Sequence, residues 1–436
     1  MNKFITNKGI SINRGMSEKT IFSKDFILVA IGQIISVFGN QILRYALPLY
    51  LLNQTGSSTL FGTILAISFV PMLLLFPIGG IIADRVNKRN IMVFLDFLTA
   101  GLIFIFFLLS GVLSIVPLMA VMMIILYEIQ GVYQPAVKAS VPVLVSNEHI
   151  MKANSVVDMI NSIASMAGPV IGGILFSIFG LIPILIISIF CFFFSAVMEI
   201  FIHIPFKKKE TDKNILAVGL NDLKESFYFL FSEQPVLWKI SLIFSSSNLL
   251  LTSLILIGYP VLITQSMGFS VESANRLYGY TQGIIAIGAV FGGFLVGILS
   301  DKIKMRQSPL LLIGISVIAL ISGVALQFVS WQMGVYIVIS VCGGLLLTLH
   351  TLFQIQMMSC LQRLTPNDLI GKVASVFMCV VMCTNPIGQV IYGFVFENIG
   401  KYNYIPFYAA GGLMILITIL TRKIFYGIDE MILNKK

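Results

Sequence analysis

The sequence predicts an all-α membrane protein of twelve helices, arranged as two pseudo-symmetric six-helix bundles. Three observations carry this. Hydrophobic residues make up 57% of the 436 and charged residues only 11%. The apolar residues fall in runs long enough to cross a bilayer. Short motifs recur between the two halves at one nearly fixed offset.

A soluble domain is about half apolar and about a quarter charged. Here the mean hydropathy is +0.97, so the solvent for most of the apolar surface must be lipid. The net charge of +9 would suit nucleic acid in a soluble protein. Here the basic residues sit in short clusters between apolar runs, which excludes that partner. The first 25 residues are polar and basic (Lys3, Lys8, Arg14, Lys19, Lys24) and lack the apolar core and cleavage site of a leader peptide. The five cysteines show no zinc or disulfide spacing and read as small buried hydrophobes. With three histidines and no catalytic triad, metal-ligand cluster or phosphate loop, the chain is expected to be no enzyme and to need no cofactor or metal.

A helix needs about 20 mostly apolar residues to cross the hydrocarbon core. Such runs lie near 26–53, 58–83, 91–110, 114–138, 152–178, 181–205, 236–263, 275–300, 308–329, 332–356, 370–397 and 403–423. Backbone groups in lipid must be paired within the segment, and the alternation a barrel requires is absent, so these are helices. Lys and Arg mark the cytoplasmic side. All of them except Arg44, Arg276 and Lys401 fall on the side of the N-terminus. Both termini are therefore expected in the cytoplasm of a cell whose inner membrane holds the chain.

The longest connection divides the chain. The expected parts are an N-terminal segment 1–25, a first bundle 26–205, a linker 206–235, a second bundle 236–423 and a tail 424–436. The linker opens on three lysines and carries Leu216, Leu220, Leu223, Phe227 and Leu230 at helical spacing. That pattern suits a helix lying on the membrane surface.

The repeat is visible in two places. Gly80-Ile-Ile-Ala-Asp84-Arg85-Val86-Asn87-Lys88-Arg89 follows span two, and Gly297-Ile-Leu-Ser-Asp301-Lys302-Ile303-Lys304-Met305-Arg306 follows span eight. Asn147 to Lys152 matches Asn367 to Lys372 before spans five and eleven, and Ser155/Ser375, Gly173/Gly393 and Gly180/Gly400 continue that match. Two like-oriented halves are a known transporter architecture.

At these residues the chain resembles the major facilitator superfamily. The stretch from Gly80 to Arg89 is similar to that family's signature loop, with Asn87 where glycine is usual. Asparagine tolerates a left-handed backbone better than most residues. Ala164-Ser-Met-Ala-Gly168-Pro169-Val-Ile-Gly172-Gly173 resembles the fifth-span motif of the family's antiporters. Gly32-Gln33-Ile-Ile-Ser36, Pro135-Ala136, Pro142-x-Leu144-Val145 and Asn385-Pro386-Ile387-Gly388 resemble its macrolide-efflux-like branch of drug–proton antiporters.

The resemblance implies that Asp84 faces the start of span eleven, near Ile370–Lys372; by the repeat, Asp301 would face the start of span five. Carboxylates are favourable at helix starts. Together with Arg85, Lys88, Arg89, Lys302 and Arg306, they would hold the cytoplasmic ends of the halves together and bias the population toward an outward-open state. Gly168, Gly172 and Gly173 let a neighbouring helix approach closely, and Pro169 removes an amide and bends span five.

Polar groups within spans are costly and so are candidates for function. Gln33, Ser36, Asn40 and Arg44 share one face of span one. Span four carries Tyr127, Glu128, Gln130 and Gln134, and span five carries Asp158, Asn161 and Ser165. The second half offers Asn248, Gln282, Gln354 and Asn385. In the family, spans one, four and five line the cavity, so these residues are cavity candidates. Arg44 and Glu128 lie at similar depth and are expected to pair. Burial and a nearby arginine act oppositely on a carboxyl group, which makes Glu128 a candidate proton carrier, with Asp158 a second. Asp96 and Glu199, near the ends of spans three and six, are expected to anchor or to pair with the Arg85–Arg89 loop.

The expected function is export of amphiphilic or apolar small molecules by a monomer, through proton antiport and alternating access. The partners are protons, a small-molecule substrate and the bilayer. The alternatives are a dedicated exporter of one metabolite, siderophore or lipid, and a sensor or scramblase without coupled transport.

Overall fold

The computed structural model describes residues 23–204, 224–225, 227–299, 305–366 and 369–434. Twelve long helices run through them: α1 (Lys24–Thr55), α2 (Ser58–Arg85), α3 (Lys88–Leu109), α4 (Ile115–Leu144), α5 (Ile150–Phe179) and α6 (Leu181–Ile200), then α7 (Pro235–Ser266), α8 (Val271–Leu299), α9 (Ser308–Phe328), α10 (Gln332–Leu364), α11 (Ile370–Asn398) and α12 (Ile405–Asn434). Eleven are long and apolar enough to cross a membrane over their described residues. In the remaining one, α2, the stretch Ser58–Leu73 is apolar, and its 28 residues give it ample length.

Local chemistry sets the helix ends. The Ser23 hydroxyl accepts from the Phe26 amide at 3.2 Å and starts α1. Gly56 stops that helix at φ 64°, a left-handed conformation that glycine adopts without strain. Ser57 then caps α2 through the Leu60 amide. Asn87 does not take the left-handed turn allowed for it. Its φ is −60°, and its side chain accepts from the Arg89 amide to cap α3. An asparagine cap serves the chain here where glycine would serve by flexibility.

Helix packing repeats between the halves. Helix α2 packs on α4 as α8 packs on α10, α1 on α5 as α7 on α11, and α3 on α6 as α9 on α12. The main contacts between the two sets obey the same rule, α5 with α8 and α11 with α2. Helix α7 departs from regularity: it carries wide turns at Asn248–Thr252, Leu254–Gly258 and Leu262–Ser266, which its counterpart in the first bundle, α1, lacks.

Cys342 and Cys360 are buried as expected, but Cys379 and Cys383 lie exposed on α11. In the linker, Leu216, Leu220 and Leu223 fall outside the described residues. Leu230 is buried, and the Phe231 ring packs on Trp238 with centroids 4.1 Å apart. Glu225 pairs with Lys372 at the start of α11, at 2.9 Å.

Candidate functional site: the cavity between the bundles

Alternating helices place the termini and the α2–α3, α4–α5 and α10–α11 connections on one side, and the α1–α2, α5–α6 and α7–α8 connections on the far side. The bundles meet on the far side. A Cβ on Gly173 would lie 2.9 Å from the Gly279 Cα, so α5 and α8 touch backbone to backbone. Gly62 meets Gly393 and the Gln389 carbonyl in the same manner between α2 and α11. Polar contacts complete this closure. The Tyr45 hydroxyl donates to the Asn275 carbonyl, and the Asn53 amide donates to the Asn275 side chain at 2.9 Å. The Tyr45 and Tyr278 rings stack at 5.3 Å. The Ser58 hydroxyl and Thr59 amide donate to Glu397 at 3.1 and 3.2 Å.

Toward the termini the helices separate among the described residues. Gly293 and Gly297 on α8 face open space. Met151 on α5 is 79% exposed, and Asp158 is exposed. The gap is a cavity in two parts that share Ser165 and Gln282. One part, about 310 Å³, is lined by Arg44, Tyr45, Phe61, Leu65, Tyr127, Leu256 and Tyr278 among others. The other, about 550 Å³, is lined by Ser162, Ile285, Ala289, Val290, Gly293 and Leu347 among others. Among the described residues the larger part is mostly apolar, while the smaller mixes apolar side chains with polar groups and one cation, Arg44, a make-up that suits a small-molecule site.

The cation does not pair with Glu128. The Arg44 guanidinium donates to Gln130 at 2.7 Å and lies 4.5 Å from the centre of the Tyr127 ring. Tyr127 and Gln130 are three residues apart and share a face of α4, while Glu128 is turned about 100° from Tyr127 by the helix pitch. Sequence depth brought α1 and α4 together correctly but could not fix that rotation.

Of the residues expected in the cavity, Arg44, Tyr127, Ser165 and Gln282 line it. Gln33 and Ser36 do not: both are buried within the first bundle, with Gln33 donating to the Tyr133 hydroxyl at 2.7 Å. Asn40, Gln130 and Gln134 line a separate, smaller cavity inside that bundle. Asn161 donates to the Val157 carbonyl and Asn248 to the Phe244 carbonyl. These two, with Gln354 and Asn385, are not among the residues lining the space between the bundles. Asp158 shares a face of α5 with Ser162 and Ser165, nearer the termini, and its carbonyl accepts from the Ser162 hydroxyl.

The glycine motif divides its contacts. Gly168 and Gly172 take α1 at Gln41 and Tyr45, while Gly173 takes α8. The Pro169 carbonyl lies against Gly279. In the loop motif, Arg89 donates to the Ile200 carbonyl at the end of α6, where a cation complements the helix dipole. Lys88 is half-buried, and Arg85 and Arg306 are exposed. Asp301 and Lys302 lie outside the described residues, and so do the side chain of Asp84 and the surroundings of Gly80. Asp96 and Glu199 do not turn to the loop. They are 2% and 0% exposed and face Tyr133 instead.

Tyr45, Tyr133, Asn275 and Tyr278 went unremarked in the sequence. Tyrosine within an apolar run looks like core, and only the hydroxyl partner marks it as more.

Comparison with known proteins gives one answer. A model of the Major Facilitator Superfamily matches residues 29–388. Macrolide efflux protein A of Streptococcus pyogenes is 22% identical over 406 residues, covering 91% of this chain and 94% of that protein. Enterobactin exporter EntS of Salmonella typhimurium is 22% identical over 371 residues, covering 84% of each. A solved bacterial homologue of the iron transporter ferroportin, in an inward-facing state, superimposes with a TM-score of 0.68 at 17% identity, over 92% of this chain and 98% of its own. The chain belongs to the major facilitator superfamily and is a multi-pass membrane transporter.

Proposed function

We propose that the chain exports amphiphilic or apolar small molecules from the cell by proton antiport, with the termini side in the cytoplasm. The observation that carries this is the cavity between the bundles, closed on the far side by Gly173 against Gly279 and open toward the termini. A substrate leaving the inner leaflet or the cytoplasm would meet apolar walls and one arginine. Rocking the bundles about that cavity would open the far side and close the near one, with the Asp84 and Asp301 motifs holding the near side shut. Relatives named as macrolide and enterobactin exporters support the direction. Arg44 supplies hydrogen-bond donors at the cavity wall.

Glu128, beside Tyr127, and Asp158, on the Ser162–Ser165 face, are the acids proposed to couple protons near the cavity. A second reading, a dedicated exporter of one product, draws on Arg44, since a single fixed cation favours one class of anionic or carbonyl-rich molecule.

The test is growth inhibition across a panel of amphiphilic drugs in a host lacking its own efflux pumps. Expression should protect against several unrelated apolar compounds. Asp84→Ala should abolish protection with the protein still in the membrane. Protection against none would remove the export reading, and protection against one alone would favour the dedicated exporter.

A further inference from the structure

The first bundle holds a buried polar cluster away from the transport cavity. Glu199 on α6 and Asp96 on α3 are 0% and 2% exposed. Between them stands Tyr133 on α4, whose hydroxyl donates to Glu199 at 2.9 Å. Helix α1 supplies Gln33, whose amide donates to Tyr133 at 2.7 Å, and Ser36, at 3.5 Å from the same hydroxyl. Gly32, on the same helix, lies beside the acid. A Cβ there would meet the Ser195 hydroxyl at 3.5 Å and the Glu199 side chain at 3.6 Å, both ordinary contacts.

Counting hydrogens shows what the cluster lacks. Tyr133 has one, given to Glu199. Ser195, which Asp96 also faces, gives its own to the Gly32 carbonyl at 3.1 Å. Three buried atoms then have no partner among the described residues: Gln33 Oε1, Asp96 Oδ2 and Glu199 Oε2. All three are acceptors. A buried acceptor without a donor is costly, and two carboxylates in one buried site disfavour each other's charge. A carboxyl group that takes up a proton becomes a donor, which relieves both penalties at once.

The cluster has an approach. A cavity of about 30 Å³, room for a water molecule or two, is lined by Asp96, Thr99, Tyr133, Ser36, Asn40, Gln130 and Gln134. Gln130 is also the acceptor for Arg44, so one side chain joins this small cavity to the transport cavity.

We propose that Asp96 and Glu199 form a proton-binding site, holding one proton between them with Tyr133 as the bridge. The proton arrives on water as hydronium. It forms an O–H bond on a carboxylate oxygen, leaves water behind, and returns to water by the reverse step. The titratable groups facing the pair are Tyr133 from α4 and each acid to the other, from α3 and α6. Helix α1 presents Gln33 and Ser36, which do not titrate, and α2 and α5 present no titratable group to the pair among the described residues. Arg89 is held at the Ile200 carbonyl. The site would serve the antiport proposed above and rests on that reading for its role, though not for its existence.

Infrared difference spectra of the purified full-length protein, taken between acid and alkaline pH, test the site directly. A carboxylic-acid carbonyl band from a buried group should be present in the wild type. It should be lost in Asp96→Asn and in Glu199→Gln, and kept in Glu128→Gln. No such band in the wild type, or a spectrum that either variant leaves unchanged, overturns the proposal. Substrate-driven proton movement in vesicles is a separate readout. If wild type shows the band and no proton movement, the antiport reading fails while the site stands.

Discussion

Glu397, near the end of α11, sits on the first turn of α2 and accepts from the Ser58 hydroxyl and the Thr59 amide. The contact joins the two bundles on the far side. It uses the physics expected of Asp84 and Asp301 on the near side, a carboxylate seated at the positive start of a helix from the opposite bundle. The far-side latch is made in this state, and it must break when that side opens.

Glu397→Gln should therefore raise the population open on the far side. The site is exposed, so screening limits its worth to about 0.3–1 kcal/mol, a few-fold in population. Distances between spin labels at Gln54 and Ser270, measured in detergent or nanodiscs, should lengthen on average. High salt should narrow the difference between variant and wild type.

Gly173→Val should have the same direction and a larger size. Its side chain would meet the Gly279 backbone, and overpacking of this kind costs about 1–3 kcal/mol. Efflux should fall sharply with the protein still in the membrane. Gly293→Ala, where a Cβ meets nothing within 4 Å, should leave far-side closure intact. Equal effects of the two would contradict the assignment of Gly173 to the seal.

Arg44→Ala removes a charged hydrogen bond to Gln130 and a stack on Tyr127. Interactions of these kinds are worth about 1.5–3 and about 0.5–2 kcal/mol. Efflux of carbonyl-rich substrates should drop at least ten-fold. Arg44→Lys should not restore it, because a compact ammonium cannot stack and donate as a planar guanidinium does. Initial efflux rates, normalised to protein in the membrane, decide this.

Hydropathy and repeats made most of the fold legible. They gave span positions, the equivalence of α2 with α8 and α5 with α11, and the close-packed glycines of α5. What they could not give was rotation about each helix axis. Arg44 and α4 were brought together by depth, but the facing groups are Tyr127 and Gln130, not Glu128. Asp96 and Glu199 were judged by distance from their helix ends and sent to the nearby basic loop, while their side chains turn inward to Tyr133. Gln33 and Ser36 were read as cavity residues because they share a face with Arg44. A helix as long as α1 passes both the bundle core and the cavity, so one face serves both. The short Gly32-Gln33-x-x-Ser36 stretch marked the efflux-like branch without a reason. In the structure Gln33 and Ser36 hold Tyr133.

The most direct test of the central claim is transport by purified protein in vesicles under an imposed pH gradient, with a fluorescent amphiphilic dye as probe. The dye should move against its own gradient, protons should move the opposite way, and a protonophore should stop both. Dye movement that only dissipates its gradient, at a rate indifferent to the pH difference, would contradict the account.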